Sequence, residues 1–317
     1  MEAKIISESE LRIWDNFVDE SDQGSIYSKS YYLKSIGCPF DIYAVEQHSA
    51  IIGGIVLTKN KMGICSNPLF VKYLGILYGK TNGNKRKLRN KIDRALIDIL
   101  PSNKVIIYNF HPNYFNWLNL YWKGFSQTTY YTYQINFNNN INFRDAYIEK
   151  VKGPIRKAKN NNLKIVDVDI ECFCKIISKT YKSRGTKMPI SSNGLKKLMK
   201  LLIINECVYV KGISDDKGNI HSVAAIVYDE NSANLILNGN DPLFKKLSGN
   251  SLLIDHMIDF SSKRCELFDF EGSMHRRIEQ FYSGYGGQLT PYYIISNNNF
   301  KAKIYMKIIA SIKYFYK

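Results

Sequence analysis

Two carboxylates and an imidazole lie close together in one short stretch of this 317-residue chain. Asp269 stands in the apolar run 267–270, Glu271 follows it, and His275 lies four residues beyond. The apolar run is typical of a strand, and the polar residues after it are typical of a helix start. If the strand continues, Asp269 and Glu271 point to the same face and provide a general base for proton transfer. Alternatively, donors at the strand-to-helix corner satisfy both carboxylates structurally.

Two further side chains of this region could move protons. His275 could act as an acid or a base near neutral pH. Tyr292, which we predict on the final strand, could donate its phenolic proton to a leaving group. The alternatives are that His275 is a surface residue of a polar helix, and that Tyr292 only packs, as do most of the 23 tyrosines in the chain.

A loop with small residues precedes the predicted apolar helix 251–260. Backbone N–H groups at a helix start bind phosphate or pyrophosphate, and small residues let that backbone approach the ligand. We therefore predict a donor-binding site there. Its residues are Lys246, Ser248, Gly249, Asn250 and Ser251. An ordinary capped turn would have the same composition.

A second loop follows the predicted helix that ends near Arg184. Arg184 could clamp a carboxylate or a phosphate, because its guanidinium donates two parallel hydrogen bonds. We predict that Tyr181, Arg184 and Lys187 cover an acceptor, with Ser273 at the corner after Glu271.

The elements that must position these residues occur in a repeated order. A helix, a strand, a second helix and a second strand are predicted on both sides of the sequence midpoint. Gly124 follows Phe110 by 14 residues, and Gly284 follows Phe270 by 14 residues. This spacing predicts two copies of one α/β unit, although chance agreement would give the same pattern. The first copy has no carboxylate at the corner that corresponds to Asp269.

The net charge of +16 is large for a chain of this length. Such a field attracts polyanions, including nucleic acid and anionic membranes, although solvated basic loops would produce it as well. The densest basic run comprises Lys150, Lys152, Arg156, Lys157, Lys159 and Lys164. A function without catalysis therefore stays open, in which residues 150–164 bind RNA or an anionic surface.

The sequence indicates a cytoplasmic protein. It has no 18-residue apolar run without charges, and its first residues carry charges where a signal peptide needs an apolar segment. The predicted last helix, 300–316, is basic and amphipathic, and either docks on its own domain or rests on the inner membrane face. The six scattered cysteines do not form a zinc-binding set, so we predict reduced thiols and no metal site.

Several segments together resemble a known family. They are Ile155–Lys159, Thr180–Gly185, Ser248–Leu253, Phe268–Ser273, Ile278–Phe281, Tyr285–Gly287 and Pro291–Tyr292. In this order they resemble the GNAT acyltransferases, and the tandem arrangement resembles the FemAB family of aminoacyl and peptidoglycan-bridge transferases. The similarity of architecture extends over nearly the whole chain.

The resemblance implies an α/β (α+β) fold of two tandem GNAT-like domains, each a mixed sheet flanked by helices. Residues 1–160 would form the N-terminal domain, and residues 161–317 the catalytic domain with the basic last helix. The implied activity is N-acyl transfer from acyl-CoA or aminoacyl-tRNA, used as a co-substrate and not as a tightly bound cofactor. The implied acceptor is an amine of a cell-envelope or polysaccharide precursor carried on a sugar, a peptide or a lipid, and tRNA is an implied partner.

Overall fold

The structure is a computed structural model that describes residues 1–59, 64–80, 85–138, 142–272, 274 and 276–297. Contacts divide the chain into two compact units. The first unit comprises residues 1–131 together with the described residues from 291 onward, and the second comprises residues 132–290. The last helix predicted from the sequence, 300–316, lies outside the described residues.

Among the described residues up to 131, six strands and four α-helices lie wholly within the first unit. The strands are β1 (Ala3–Ile5), β2 (Phe40–Gln47), β3 (Ala50–Thr58), β4 (Ile64–Ser66), β5 (Ile76–Tyr78) and β6 (Val105–Asn109). The helices are α1 (Leu11–Glu20), α2 (Ser30–Ser35), α3 (Lys85–Asp98) and α4 (Leu118–Trp122). Strand β7 (Phe125–Asn136) begins in the first unit and ends in the second.

The second unit contains the elements that carry most of the predicted site. Its strands are β8 (Lys164–Val166), β9 (Val208–Ser214), β10 (Ile220–Tyr228), β11 (Ser232–Asn240) and β12 (Leu267–Asp269). Its helices are α5 (Glu149–Asn160), α6 (Ile170–Ser183), α7 (Ser192–Ile204), α8 (Gly249–Ser262) and α9 (Arg276–Tyr282). Strand β13 (Gln288–Asn297) begins in the second unit and ends in the first.

The first unit has an antiparallel sheet in the order β1-β2-β3-β5. A separate group pairs β6 in parallel with β4 and antiparallel with β13. Strands β2 and β3 form a hairpin. Ala3–Ile5 pair with Tyr43–Val45, and helix α1 begins at Leu11.

The second unit has a mixed sheet in the order β7-β12-β11-β10-β9-β8. Strands β11 and β12 are parallel, and the other neighbouring strands in this unit are antiparallel. Helix α8 supplies the centre of the core, which explains why its sequence is apolar on nearly every side. Its fully buried residues Leu253, Ile254, Met257 and Ile258 pack with Phe268 of β12.

The observed units differ from the predicted boundary between residues 160 and 161. Residues 132–160 belong to the second unit, because β7 pairs with β12 and the buried face of α5 packs in the same core as α8. The end of β13 belongs to the first unit, where Ile294–Ser296 pair with β6. The second unit therefore includes the end of β7, and the first unit includes the end of β13. The predicted boundary assigns each of these strand ends to the other unit.

Helix α5 continues through a proline, because Pro154 lies inside it. The apolar face of α5, formed by Val151, Ile155 and Ala158, is buried on both sides of the proline, and this packing offsets the lost backbone hydrogen bond.

Candidate functional site

Asp269 ends strand β12 and is almost completely buried, with 1% of its surface exposed. Its Oδ1 atom accepts hydrogen bonds from the Thr132 hydroxyl at 2.5 Å and from the Glu271 backbone N–H at 2.6 Å. Its Oδ2 atom accepts from Nε2 of Gln134 at 2.8 Å. The two side-chain donors lie on β7, so the carboxylate joins β7 to the corner that follows β12. A buried carboxylate requires such partners.

The corner itself turns sharply at Glu271, which is half-buried. Strand β12 ends at Asp269, and Glu271 and Gly272 have φ angles of 56° and 57°. Asp269 and Glu271 therefore do not share a strand face, because the continued strand that this expectation required is absent from the described corner. Asp269 instead bonds to the backbone of Glu271 and fixes its left-handed conformation.

Strands β11 and β12 pair over three residues only. The register runs from Ser232 opposite Leu267 to Asn234 opposite Asp269, where β12 ends, while β11 continues to Asn240. Strand β11 also bulges against β10, because Ala225 lies opposite Leu237 whereas the next residue of β10 lies opposite Leu235. Along the described residues beyond Asn234, β11 has no strand partner on the side of β12. Bulges and unpaired strand edges leave backbone donors available to a ligand.

The predicted donor segment begins helix α8. Ser248 has a left-handed backbone with φ of 64°, and its side chain does not cap the helix. A Cβ atom at Gly249 would lie 2.9 Å from the Ile213 side chain, so the backbone at this position packs directly on β9. The Asn250 Oδ1 atom is buried and has no hydrogen-bond partner among the described residues. Ser251 is buried, whereas Lys246 is exposed beside the helix start.

Side chains from α6 and β10 hold the loop between β11 and α8. The Thr180 hydroxyl accepts from the Asn240 N–H at 2.7 Å, and Lys179 forms an ion pair with buried Asp241. The imidazole of His221 stacks on Phe244 with ring centroids 4.2 Å apart. The loop therefore has a fixed conformation, which pre-organised recognition requires.

Arg184, one of the four residues predicted to bind the acceptor, acts electrostatically on two tyrosines. Arg184 follows α6, and its positive charge lowers the pKa of Tyr181 and the pKa of Tyr282 against the larger effect of burial. The charge of Glu271 acts on Tyr282 in the opposite direction, and burial together with Glu271 raises the pKa of Tyr282 to about 12. Arg184 and Glu271 thus each lie within electrostatic reach of Tyr282. Lys187 is exposed in the loop after α6.

Sequence reasoning missed Tyr282, Tyr133 and Glu279. The Tyr133 hydroxyl donates to Oε1 of Glu279 at 2.6 Å, and burial with this carboxylate raises the pKa of Tyr133. The Tyr282 ring packs against Phe270 with centroids 4.7 Å apart. The available signal was helical spacing, because Glu279 and Tyr282 are three residues apart on α9 and share a face.

Tyr292 does not join this group. Tyr292 lies in the first unit, where its ring packs edge-on against Tyr73 and Tyr130 and under the ammonium group of Lys72. Ser273 and His275 lie outside the described residues.

Helix α5 carries most of the predicted basic run. Arg156 pairs with Glu149 at 2.8 Å, and Lys164 on β8 pairs with Asp216 at 2.8 Å. Lys157 and Lys159 are exposed. Part of the positive charge of residues 150–164 is therefore neutralised by carboxylates of the same unit.

Three further features lie outside the corner. A surface groove of about 590 Å³ is lined by residues of α6 and α7 and contains none of the predicted site residues. All six cysteines are free thiols, and the described residues contain no group of three or more histidine, cysteine, aspartate or glutamate side chains able to hold a metal. None of the described helices has the length and apolar character needed to cross a bilayer.

The fold is shared with several solved structures. FemX superposes with a TM-score of 0.72 at 12% sequence identity, covering 92% of this chain and 97% of FemX. The C-terminal domain of a putative lysylphosphatidylglycerol synthetase from Agrobacterium fabrum gives a TM-score of 0.60 at 8% identity, covering 94% of each chain. A tandem GNAT protein from the clavulanic acid biosynthesis pathway gives 0.54 at 8% identity, covering 93% of this chain and 98% of its own.

These similarities confirm the predicted fold class of two tandem GNAT-like domains, each with a mixed sheet and flanking helices. Comparison of the sequence alone gives a different result, because no protein-family model and no curated protein matches it. The tertiary fold thus carries the similarity.

Proposed function

We propose that the protein is an N-acyltransferase that moves an acyl or aminoacyl group from acyl-CoA or aminoacyl-tRNA to an amine of a cell-envelope or polysaccharide precursor. The observation that carries the proposal is the divergence of β11 and β12 beyond Asn234, next to the glycine-containing start of α8. The divergence would leave an edge of β11 open to the acyl group of the donor, and the helix start would suit the donor's phosphates.

In the proposed reaction, the lone pair of the acceptor amine attacks the acyl carbonyl carbon of the donor. A C–N bond forms, and the bond from the carbonyl carbon to the thiol sulfur or ribose oxygen breaks. Backbone N–H groups along the unpaired edge of β11 would stabilise the oxyanion that develops on the carbonyl oxygen. The amine loses a proton to a base, and the leaving group gains one.

We assign the role of base to Glu271 and that of proton donor to Tyr282. Tyr282 is protonated at neutral pH, so its phenolic proton is available to the leaving group, although burial and Glu271 raise its pKa to about 12 and make it a weaker acid than an exposed tyrosine. Arg184 would bind a carboxylate or phosphate of the acceptor. Asp269 is a positioning residue in this scheme, because both of its oxygens already accept hydrogen bonds from the protein.

The assigned roles of the other residues remain proposals as well. Lys246, Ser248, Gly249, Asn250 and Ser251 would bind the donor, and Tyr181, Lys187 and Ser273 would line the acceptor side. His275 would assist proton transfer. Tyr292 has the weakest structural support among the proposed proton donors, because its described contacts are with aromatic rings and a lysine of the first unit.

The donor can be identified without knowing the acceptor. Acetyl-CoA, longer acyl-CoAs and charged tRNA are compared by thermal shift, since a ligand of the native state raises the melting temperature. One donor class should raise the melting temperature, and Lys246→Glu should weaken that effect. Lys217→Glu is the matched control, because it makes the same charge change at an exposed turn between β9 and β10.

Turnover of the identified donor is then measured with a panel of amine acceptors. The double variant Asp269→Asn, Glu271→Gln should lose transfer while it retains a cooperative unfolding transition. Full activity of this variant would contradict the assignment. A chain that binds tRNA with a steep salt dependence and transfers nothing would instead support the RNA-binding alternative.

A further inference from the structure

Four large apolar side chains are exposed within eight residues of the first unit. Phe115 is 72% exposed, Leu118 45%, Tyr121 58% and Trp122 64%. We call these four residues the aromatic patch. Leu118, Tyr121 and Trp122 share one face of α4 because they are three and four residues apart. Contiguous exposed apolar surface of this kind marks an interaction site more often than it marks ordinary surface.

The opposite face of α4 is firmly held. Leu120 and Asn119 are buried, and Nδ2 of Asn119 donates to Oδ2 of Asp93 at 2.7 Å and to Oδ1 of Asn90 at 3.1 Å. Both acceptors lie on α3. The outward orientation of the aromatic patch is therefore fixed by contacts between α4 and α3.

Helix α3 places exposed cations beside this anchor. Lys87, Lys91 and Arg94 recur at intervals of four and three residues, so they form one exposed stripe along the helix, and we call them the basic stripe. Asn90, which holds Asn119, lies next to this stripe on α3. The one exposed carboxylate among the described residues of α3, Asp98, is paired with Lys123 after α4 at 2.6 Å.

We propose that the aromatic patch and the basic stripe together form a docking surface for an anionic lipid bilayer. Tryptophan and tyrosine side chains favour the headgroup region, where their apolar rings are buried and their polar atoms stay hydrated. Lysine and arginine are attracted to anionic headgroups beside them. RNA is the less favoured partner. Leu118 lies on the same face as the aromatic rings and enlarges the apolar surface, but an aliphatic side chain cannot stack on a base.

Vesicle sedimentation with the full chain tests this surface. The protein should bind vesicles that contain roughly one third phosphatidylglycerol and not vesicles of phosphatidylcholine alone, and added salt should weaken the binding. Tyr121→Ser with Trp122→Ser should lower the partition coefficient by about tenfold or more, since apolar burial at the interface is lost. Ile203→Ser with Ile204→Ser is the matched control at the exposed end of α7.

Charge reversal distinguishes the contribution of the basic stripe to vesicle binding from the contribution of the overall positive charge. Lys91→Glu with Arg94→Glu should lower binding to the anionic vesicles by about tenfold or more. Lys197→Glu with Lys200→Glu changes the net charge equally, at exposed positions of α7, and should alter binding by less than about threefold. All four double variants are at exposed positions, and their melting temperatures verify that they are folded.

Tryptophan fluorescence reports contact directly. The chain has three tryptophans, of which Trp14 is completely buried and Trp122 is mostly exposed. Anionic vesicles should shift the tryptophan emission to shorter wavelength. Trp122→Phe should remove most of this shift and still bind the vesicles, because phenylalanine keeps an apolar ring at this position. The proposal is overturned if the patch variants bind as the wild type does. It is also overturned if the wild type does not bind anionic vesicles. Binding of single-stranded RNA or of a second copy of the chain by the aromatic patch would not rescue it in that case.

Discussion

The Oδ1 atom of Asp269 accepts a hydrogen bond from the backbone N–H of Glu271 at 2.6 Å, so one carboxylate fixes the residue that carries the other. Glu271 has a φ angle of 56°, a conformation that costs free energy for a residue with a side chain. The hydrogen bond offsets this cost. Two acids that are close in sequence therefore have different tasks, since Asp269 is buried at the end of β12 and Glu271 lies at the turned corner.

Single amide substitutions should separate these tasks. Asp269→Asn places an amide nitrogen against protein donors and should lower the free energy of unfolding by about 1–3 kcal/mol, because a buried donor loses its acceptor. Glu271→Gln should change it by less than about 0.5 kcal/mol. Urea denaturation measures both changes. In a transfer assay, Glu271→Gln should remove the limb of the pH profile of kcat that reports the general base. Asp269→Asn should lower kcat and shift this limb along the pH axis, without changing the KM of the donor. Equal free energies of unfolding for the two variants would contradict the assignment of a structural role to Asp269 and not to Glu271.

The ionisation of Tyr282 should respond in opposite directions to its two charged neighbours. Burial and Glu271 raise its pKa to about 12, while Arg184 lowers it. Glu271→Gln should therefore lower the pKa of Tyr282, and Arg184→Gln should raise it. Difference absorbance of the phenolate, with Tyr282→Phe to identify the signal, measures both shifts. A pKa that is unchanged in both variants would show that the three side chains do not interact.

Asp93 should make the stability of the first unit depend on pH. The carboxyl is 1% exposed, and burial raises its pKa from 3.8 to about 6, against the lowering effect of Tyr78, Asn119 and Arg89. The folded state therefore binds its proton more tightly than the unfolded state. The free energy of unfolding should fall by about 3 kcal/mol as the pH rises from about 4 to about 6, and stay constant above that range.

Asp93→Asn tests this linkage. Unfolding by urea at several pH values should lose the slope between about pH 4 and pH 6 in this variant, because no carboxyl remains to titrate there. Asp98→Asn is the control, since it removes an exposed carboxylate from the same helix. A slope that persists in Asp93→Asn would assign the pH dependence to other groups.

Two glycines should respond oppositely to alanine. A Cβ atom at Gly54 would lie 2.8 Å from the Tyr43 carbonyl oxygen and would also meet the Trp14 ring, so Gly54→Ala should destabilise the fold by about 1–3 kcal/mol. Gly153 lies in α5 with no heavy atom within 4 Å of the added Cβ, and Gly153→Ala should stabilise by about 0.5–1 kcal/mol. Thermal denaturation compares them, and the same sign for both would contradict the described packing.

Local pattern predicted many of the elements. The apolar run 267–270 indicated a strand, which is β12, and the predicted apolar helix 251–260 lies within α8. These features depend on neighbours in sequence and on which face is apolar, and both can be read from the residues themselves.

The site was predicted less completely. The strand-to-helix corner and the start of α8 followed from residue types, but Tyr282 and Tyr133 did not stand out among 23 tyrosines. Tyr133 on β7 binds Glu279 on α9, and Arg184 after α6 acts on Tyr282 on α9, so each interaction joins elements that are distant in sequence. The same limitation explains why the expected pairing of Asp269 with Glu271 on one face failed, since the donors on β7 that bind Asp269 are more than a hundred residues away.

The sequence by itself determined that an acid-bearing strand leads to a polar helix, that α8 is buried, and that two similar α/β units follow each other. Apolar periodicity and turn residues act over short distances, so these properties are local. Only the tertiary structure decided that β7 completes the sheet of the second unit and that β13 pairs with β6. Strand partners are chosen by burial and hydrogen bonding between distant segments. The environment of Asp269, and with it the division of tasks between the two acids, therefore exists only in the folded chain.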